Sequence, residues 1–291
     1  MHESEPPPRV AWVTGAGGGV GAATARALAA RGWCVVVSDV RVDGLDALRG
    51  ELGERRCAAV EGDVTDLGAM QNAVAVGVER FGGLHAVVAN AGVASYGSVK
   101  GVDPAAFRRV LDVNVVGAFH TLRAALPELE RTRGYALLVS SMAAYVATPG
   151  QAAYNASKAG VEHLANVARL EVADDGVAIG SAHMGWIDTA LMRDALRDVP
   201  TMGEMLETLP GFMRRPVTAD ACGAAFADAV EARARRVHVP RWVGALALLR
   251  PLLGSSAFER RQARASSGIA GRLDADVRRL GRSASDRTRP R

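Results

Sequence analysis

The chain has 291 residues, 49% of them apolar, with 35 basic side chains, 31 acidic ones and three cysteines. That is enough apolar chain for one large core, and scattered Cys34, Cys57 and Cys222 exclude a disulfide framework or zinc site and fit a reducing cytoplasm. Residues 255–291 hold 10 arginines and 4 acids, so the net charge of +4 belongs to the tail, and the body lacks the basic excess of a nucleic-acid-binding face.

Residues 1–8, with Glu3, Glu5 and three prolines, read as a flexible lead without a signal pattern. Short apolar runs then alternate with longer helical patterns. The runs cover 10–14, 33–39, 58–63, 84–90, 135–141, 177–183 and 236–239. The helical stretches cover 20–31, 67–81, 103–130, 151–173 and 219–232. Continuous apolar runs suit strands buried on both faces, and their alternation with helices predicts a doubly wound α/β domain with a parallel sheet of about seven strands. One Rossmann-type domain over 9–254 is expected, followed by a disordered Arg-rich tail over 255–291, where Ser, Gly and Arg dominate.

The first strand runs into Thr14-Gly15-Ala16-Gly17-Gly18-Gly19-Val20-Gly21, and then a helix begins. Glycine allows the tight turn and brings bare backbone close to a pyrophosphate, while the helix N-terminus offers free N–H groups and a positive dipole end. The lack of a following Gly-Lys-Ser/Thr excludes a Walker loop. The second strand ends on Asp39, where a carboxylate can accept from a ribose diol and repel a 2′-phosphate. NAD is thereby favoured and NADP remains possible, because Arg41 lies two positions on.

Lys100 and Lys158 are the only lysines, and Lys158 follows Tyr154 by four residues. On a helix that spacing puts both side chains on one face. A free phenol ionises near pH 10, and lowering its pKa by about three units takes roughly 4 kcal/mol. A cation about 4 Å away supplies about that much at an effective dielectric near 20. Tyr154 and Lys158 are therefore a candidate acid/base centre.

These motifs, in order, resemble the short-chain dehydrogenase/reductase family across residues 10–239. The glycine fingerprint resembles Thr14, Gly15, Gly19 and Gly21; the Asp-Val pair Asp63-Val64; the Asn-Ala-Gly run Asn90-Ala91-Gly92; and the catalytic set Asn114, Ser141, Tyr154 and Lys158. The resemblance implies that Tyr154 exchanges a proton with the substrate oxygen and that Ser141 holds this oxygen. It also implies that Lys158 lowers the Tyr154 pKa and binds the nicotinamide ribose, and that Asn114 holds a water on a proton path. Ser140 is the alternative to Ser141 and would point to the opposite face. Gly185, Ile187 and Thr189 correspond to the family's carboxamide-binding turn, although Met184 stands in place of its proline. A homodimer or homotetramer, paired through the helix bearing Tyr154, is implied by the resemblance alone.

Five of the eight methionines fall between Met184 and Met213, in the 189–216 stretch and its approach, where the family carries a substrate lid. With Met142, Trp186 and Met192 they form a candidate apolar substrate surface, or else simply face the core of short helices. A lipophilic secondary alcohol or its ketone is the expected substrate. An NADPH-dependent 3-oxoacyl-type reductase and a non-catalytic dinucleotide sensor are the alternatives. The histidines show no metal-ligand spacing, and no metal is expected. The apolar run 242–253 reads as a core cap in preference to a peripheral membrane contact beside the basic tail.

Overall fold

A computed structural model describes residues 8–207 and 209–286. The first half comprises β1 (Val10–Thr14), α1 (Gly19–Ala30), β2 (Cys34–Asp39), α2 (Val42–Leu52), β3 (Cys57–Glu61), α3 (Leu67–Phe81) and β4 (Ala86–Ala89). Then come α4 (Pro104–Leu111), a π-helical turn (Asp112–Val116), α5 (Gly117–Thr132), β5 (Tyr135–Val139), a 3-10 turn (Met142–Ala144), α6 (Ala152–Glu171) and β6 (Ala178–Met184). The lid region holds β7 (Ile187–Asp188), α7 (Ala190–Asp198), α8 (Pro200–Glu207), α9 (Gly211–Arg214) and β8 (Val217–Thr218). The chain continues through α10 (Ala219–Ala232), β9 (Arg236–Val239), α11 (Val243–Leu248), α12 (Arg250–Leu253), α13 (Ser256–Ala265) and α14 (Ile269–Leu280).

Seven strands form one parallel sheet in the order β3-β2-β1-β4-β5-β6-β9, as the apolar runs predict. Alternate residues of each strand feed two separate cores. Trp12 and Val36 pack on the α3, α5 and α6 face, whereas Val13 and Val37 pack on the α1 and α10 face. Because every strand is parallel, all carboxyl ends lie on one edge. The chain reverses direction across the sheet between β1 and β4, and that is where such sheets open a ligand crevice.

Local sequence explains most boundaries. Asp66 caps α3 by accepting from the Gly68 and Ala69 N–H groups, and α3 ends at Gly82 in the left-handed conformation. Asp103 caps α4, with Pro104 at the first helical position. Helix α2 is absent from the sequence reading because Gly44 and Gly50 weaken its helical pattern and only Leu45 and Leu48 are buried.

The expectation of a disordered tail is corrected for the described part. Residues 256–280 form α13 and α14, and Ile269, Leu273 and Val277 of α14 are buried against Tyr96, Ala195, Val199 and Met202. Apolar residues four apart put one stripe on one helix face, a spacing that an Arg- and Ser-rich composition conceals. Residues 287–291 and nearly all of the expected flexible lead lie outside the described residues. Among the described residues, no helix is long and apolar enough to cross a membrane.

Candidate active site

The glycine turn lies between β1 and α1. Gly15 has φ +65°, and a Cβ there would sit 2.7 Å from the Ala91 Cα, so the turn and the Asn90-Ala91-Gly92 run fit together only with glycine at 15. Thr14, which the sequence reading gave no role beyond the fingerprint, accepts from the Asn90 and Ala91 N–H groups through Oγ1 at 3.1 and 3.2 Å. The Asn90 amide in turn donates to the Thr14 carbonyl at 2.9 Å. Asn90 therefore braces the turn. Gly18 precedes α1 with no side-chain cap, leaving the first-turn N–H groups, including those of Val20 and Gly21, without a side-chain acceptor. That is the donor set an anionic pyrophosphate requires.

Asp39 is buried and holds the glycine turn. Its Oδ2 accepts from Gly17 N at 2.9 Å, and its Oδ1 accepts from Arg41 N at 2.9 Å. The Arg41 Nε lies 3.5 Å from the same carboxylate, and its guanidinium borders Gly18. One strand further out, past the end of β3, Asp63 accepts from Thr65 N at 2.9 Å and pairs with Arg109 at 3.0 Å. Burial alone would raise the Asp63 carboxyl, but these bonds outweigh it and hold it below the usual carboxylate range. Val64 is buried, and its carbonyl meets His120 Nδ1 at 3.1 Å.

The two serines after β5 separate as alternation requires. Ser140 turns into the fold and donates to the Lys158 carbonyl at 2.7 Å. Ser141 points the other way, and its side chain acts to lower the Tyr154 phenol. Ser141 Oγ also accepts from Ala143 N at 3.2 Å and donates to the Met184 carbonyl at 3.4 Å. Ser141 and Ser140 thus point to opposite sides of the strand end.

Tyr154 and Lys158 share one face of α6, with the Lys158 ammonium 5.7 Å from the Tyr154 ring centre. Lys158 is buried and donates to the Val139 carbonyl at 2.9 Å, and burial pulls its pKa down to about 8. The expected acidification of Tyr154 by Lys158 is not what sets the phenol here. Desolvation pushes the phenol up, opposed by the hydrogen bond with Ser141. The cation lies near Gly92 and Asn114.

Asn114 lies in the π-helical turn between α4 and α5, a geometry that the continuous helical pattern did not reveal. Its amide accepts from Val93 N at 2.8 Å and donates to the Val93 carbonyl at 3.0 Å and to Ser157 Oγ at 2.9 Å. The side chain clamps the loop after β4 to α6.

The turn after β6 brings in the remaining residues. Gly185 N donates to the Val239 carbonyl at 2.7 Å, and Ile187 pairs with Val217 in the short β7–β8 sheet. Thr189 caps α7 by accepting from Met192 N at 3.3 Å, and its methyl borders Gly19, which sets the start of α7 beside the glycine turn. Met184 packs its sulfur on Cys222. Met142 packs near Tyr145 and Val243, Met192 is half-buried, and the Trp186 indole N–H is buried without a hydrogen-bond partner. Two positioning elements escaped the sequence reading. Asn155 donates to the Ala143 and Val146 carbonyls at 2.9 and 2.7 Å, pinning the turn that follows Ser141. Buried His183 stacks on Tyr145 at 4.7 Å behind that turn and is pulled down to about 3 by burial, so it is neutral at physiological pH.

Residues 9–200 match the family model described as short chain dehydrogenase. The chain belongs to the short-chain dehydrogenase family. It is 34% identical over 191 residues to a trans-4-hydroxycyclohexanecarboxylate dehydrogenase of Sinomonas cyclohexanicum, covering 63% of this chain and 74% of the relative. It is 34% identical over 190 residues to a cyclohexanol dehydrogenase of Acinetobacter sp. (strain SE19), covering 64% and 76%. The crystal structure of levodione reductase superposes with a TM-score of 0.72 at 25% identity, covering 79% of this chain and 95% of that one. This short-chain dehydrogenase is accordingly an oxidoreductase of CH–OH groups that uses a nicotinamide dinucleotide, NAD or NADP. The glycine turn, its uncapped helix and the Asp39 carboxylate fit such a group.

Proposed function

We propose that the enzyme interconverts a compact, lipophilic cyclic secondary alcohol and its ketone, with NAD preferred over NADP. The observation that carries this reading is the placing of Tyr154 and buried Lys158 on one face of α6, with Ser141 at the end of β5, at the same sheet edge as the glycine turn. The names of the relatives support the substrate class. A nicotinamide dinucleotide bound along that edge supplies the hydride exchange at the carbinol carbon. Ser141 holds the reacting oxygen, and Tyr154 takes the hydroxyl proton in oxidation or returns it in reduction. Lys158 supplies the positive charge behind the phenolate. Asn114 keeps Val93 and α6 in register around it. Met142, Trp186 and Met192 form the apolar side of the substrate site.

The NAD preference rests on Asp39, buried at the carboxyl end of β2, where a carboxylate would accept from a ribose diol and repel a 2′-phosphate. Arg41 beside Gly18 favours some tolerance of NADP. Binding isotherms for the parent are expected to show NAD at least about tenfold tighter than NADP, a difference of about 1.4 kcal/mol. Asp39→Ala is expected to weaken NAD and free Arg41 for a 2′-phosphate, removing the discrimination. Equal affinities in the parent would sink the cofactor assignment.

The direction of the pH dependence follows from the raised phenol. A group raised above its usual value stays protonated at neutral pH, which suits the acid needed for carbonyl reduction. Alcohol oxidation needs the phenolate, so kcat/KM for oxidation is expected to climb with pH into the alkaline range. Reduction is expected to hold at neutral pH and fall over the same limb. An oxidation profile flat from about pH 6 to about pH 10 would remove Tyr154 from the proton step.

A cytoplasmic location and subunit pairing through α6 belong to the same proposal. The three cysteines are free and buried, and Val167 and Leu170 leave apolar surface on α6.

A further inference from the structure

The family match ends at residue 200, yet α14 reaches back to three segments around the N-terminal end of α6, the helix that carries Tyr154. Asp274 accepts from Ser98 N at 2.8 Å and Ser98 Oγ at 2.7 Å, in the loop after β4. Beyond α14, the Ser283 carbonyl accepts from Tyr96 N at 2.7 Å, and Ser283 Oγ accepts from Asp103 N at 3.0 Å, in the same loop. Asp276 accepts from Thr201 N at 3.0 Å and Thr201 Oγ1 at 2.7 Å, while Arg282 pairs with Asp198 at 3.1 Å, so the α7–α8 lid is held too. Leu273 fills the space against Gly150, which has φ +80°, and any Cβ at 150 would collide with it. Gly150 precedes Gln151, the N-cap of α6, and Gln151 itself bridges to Gly97 and touches the Met202 sulfur at 3.8 Å.

We infer that α14 is a specificity-determining strap: it ties the loop after β4, the turn before α6 and the α7–α8 lid into one unit and thereby limits the substrate side to compact alcohols. This rests on the alcohol dehydrogenase reading. Loops at a site are otherwise drawn from the least stable part of a fold and open to admit larger ligands. Here each carboxylate of the strap takes two hydrogen bonds from one residue, its N–H and its hydroxyl, which fixes position as well as contact. None of the strap residues belongs to the proton-transfer set, so the strap acts on which substrate enters and leaves the chemistry alone.

The test compares the full-length parent with Asp274→Ala/Asp276→Ala, using cyclohexanol and 4-tert-butylcyclohexanol as probes. The parent is expected to prefer cyclohexanol, and the variant to lose about tenfold of that preference in kcat/KM through KM for the bulky alcohol. Its kcat for cyclohexanol and its dinucleotide affinity are expected to stay within about twofold. Backbone amides of 93–103 and 190–207 are expected to exchange faster. An unchanged preference, or a joint loss of kcat, dinucleotide affinity and folded fraction, would overturn the strap. Should the double variant not fold, Asp276→Ala alone is judged by the same preference. A parent that binds dinucleotide but turns over neither alcohol contradicts the dehydrogenase reading and the strap with it; turnover with an unchanged preference contradicts the strap alone.

Discussion

Tyr154→Phe is expected to lower kcat for alcohol oxidation by about 10³-fold or more while leaving dinucleotide binding and the melting temperature close to those of the parent. Positioned acid/base groups contribute about 10²–10⁴-fold, and Tyr154 is the phenol that the Ser141 side chain acts on. The change removes one hydroxyl oxygen from a half-buried residue. Stability should therefore move little. Stopped-flow turnover beside a dinucleotide titration separates the two effects. A variant retaining more than about a tenth of the parent kcat would assign the proton step elsewhere.

Lys158→Met is expected to reduce activity by a similar order and to raise thermal stability, or at least not lower it. Burial pulls the Lys158 pKa from its ordinary value near 10.5 to about 8, so at neutral pH the fold holds a charge against a desolvation cost. That depression corresponds to roughly 3 kcal/mol, offset in the variant by the loss of one hydrogen bond to the Val139 carbonyl. The sign with pH is definite. Below about pH 8 both folded and unfolded chains carry the proton and the parent bears the full cost. Between that pH and the unfolded value the folded chain releases the proton first, so parent stability gained from this group rises with pH. The advantage of the variant should accordingly be largest at or below neutral pH and shrink toward pH 10. Calorimetric melting of both proteins across that range checks it. A variant that melts far below the parent at neutral pH would mean that the ammonium is structural.

Much of this site is legible in the sequence because its parts sit at strand ends. Val10–Thr14, Cys34–Asp39 and Tyr135–Val139 are continuous apolar runs, so the residues that follow them fall on the sheet edge by topology. The choice of Ser141 over Ser140 follows from alternation and is matched by their opposite partners. Other features depend on contacts between distant segments. The clamp of Asn114 on Val93 requires a π-helical turn that leaves the hydrophobic pattern of a helix almost unchanged. The ordering of α14 depends on Leu273 meeting Gly150 and on Asp274 meeting Ser98, pairings no local pattern encodes. Arginine richness pointed instead to a solvated tail, because composition cannot tell a charged helix face from disorder. Helical spacing likewise sets which face Lys158 shares with Tyr154, but not the burial that pushes the phenol up.

The proposed function turns on one chemical event, passage of the carbinol hydrogen from a substrate held at Ser141 and Tyr154 to a dinucleotide bound at the glycine turn. Cyclohexanol deuterated at the carbinol carbon, incubated with enzyme and NAD, makes that event visible by mass spectrometry of the reduced dinucleotide. One deuterium in each reduced dinucleotide formed, abolished with turnover in Tyr154→Phe, is the predicted result. Ketone formed without deuterium in the dinucleotide, or equal transfer by the Tyr154→Phe protein, would contradict it.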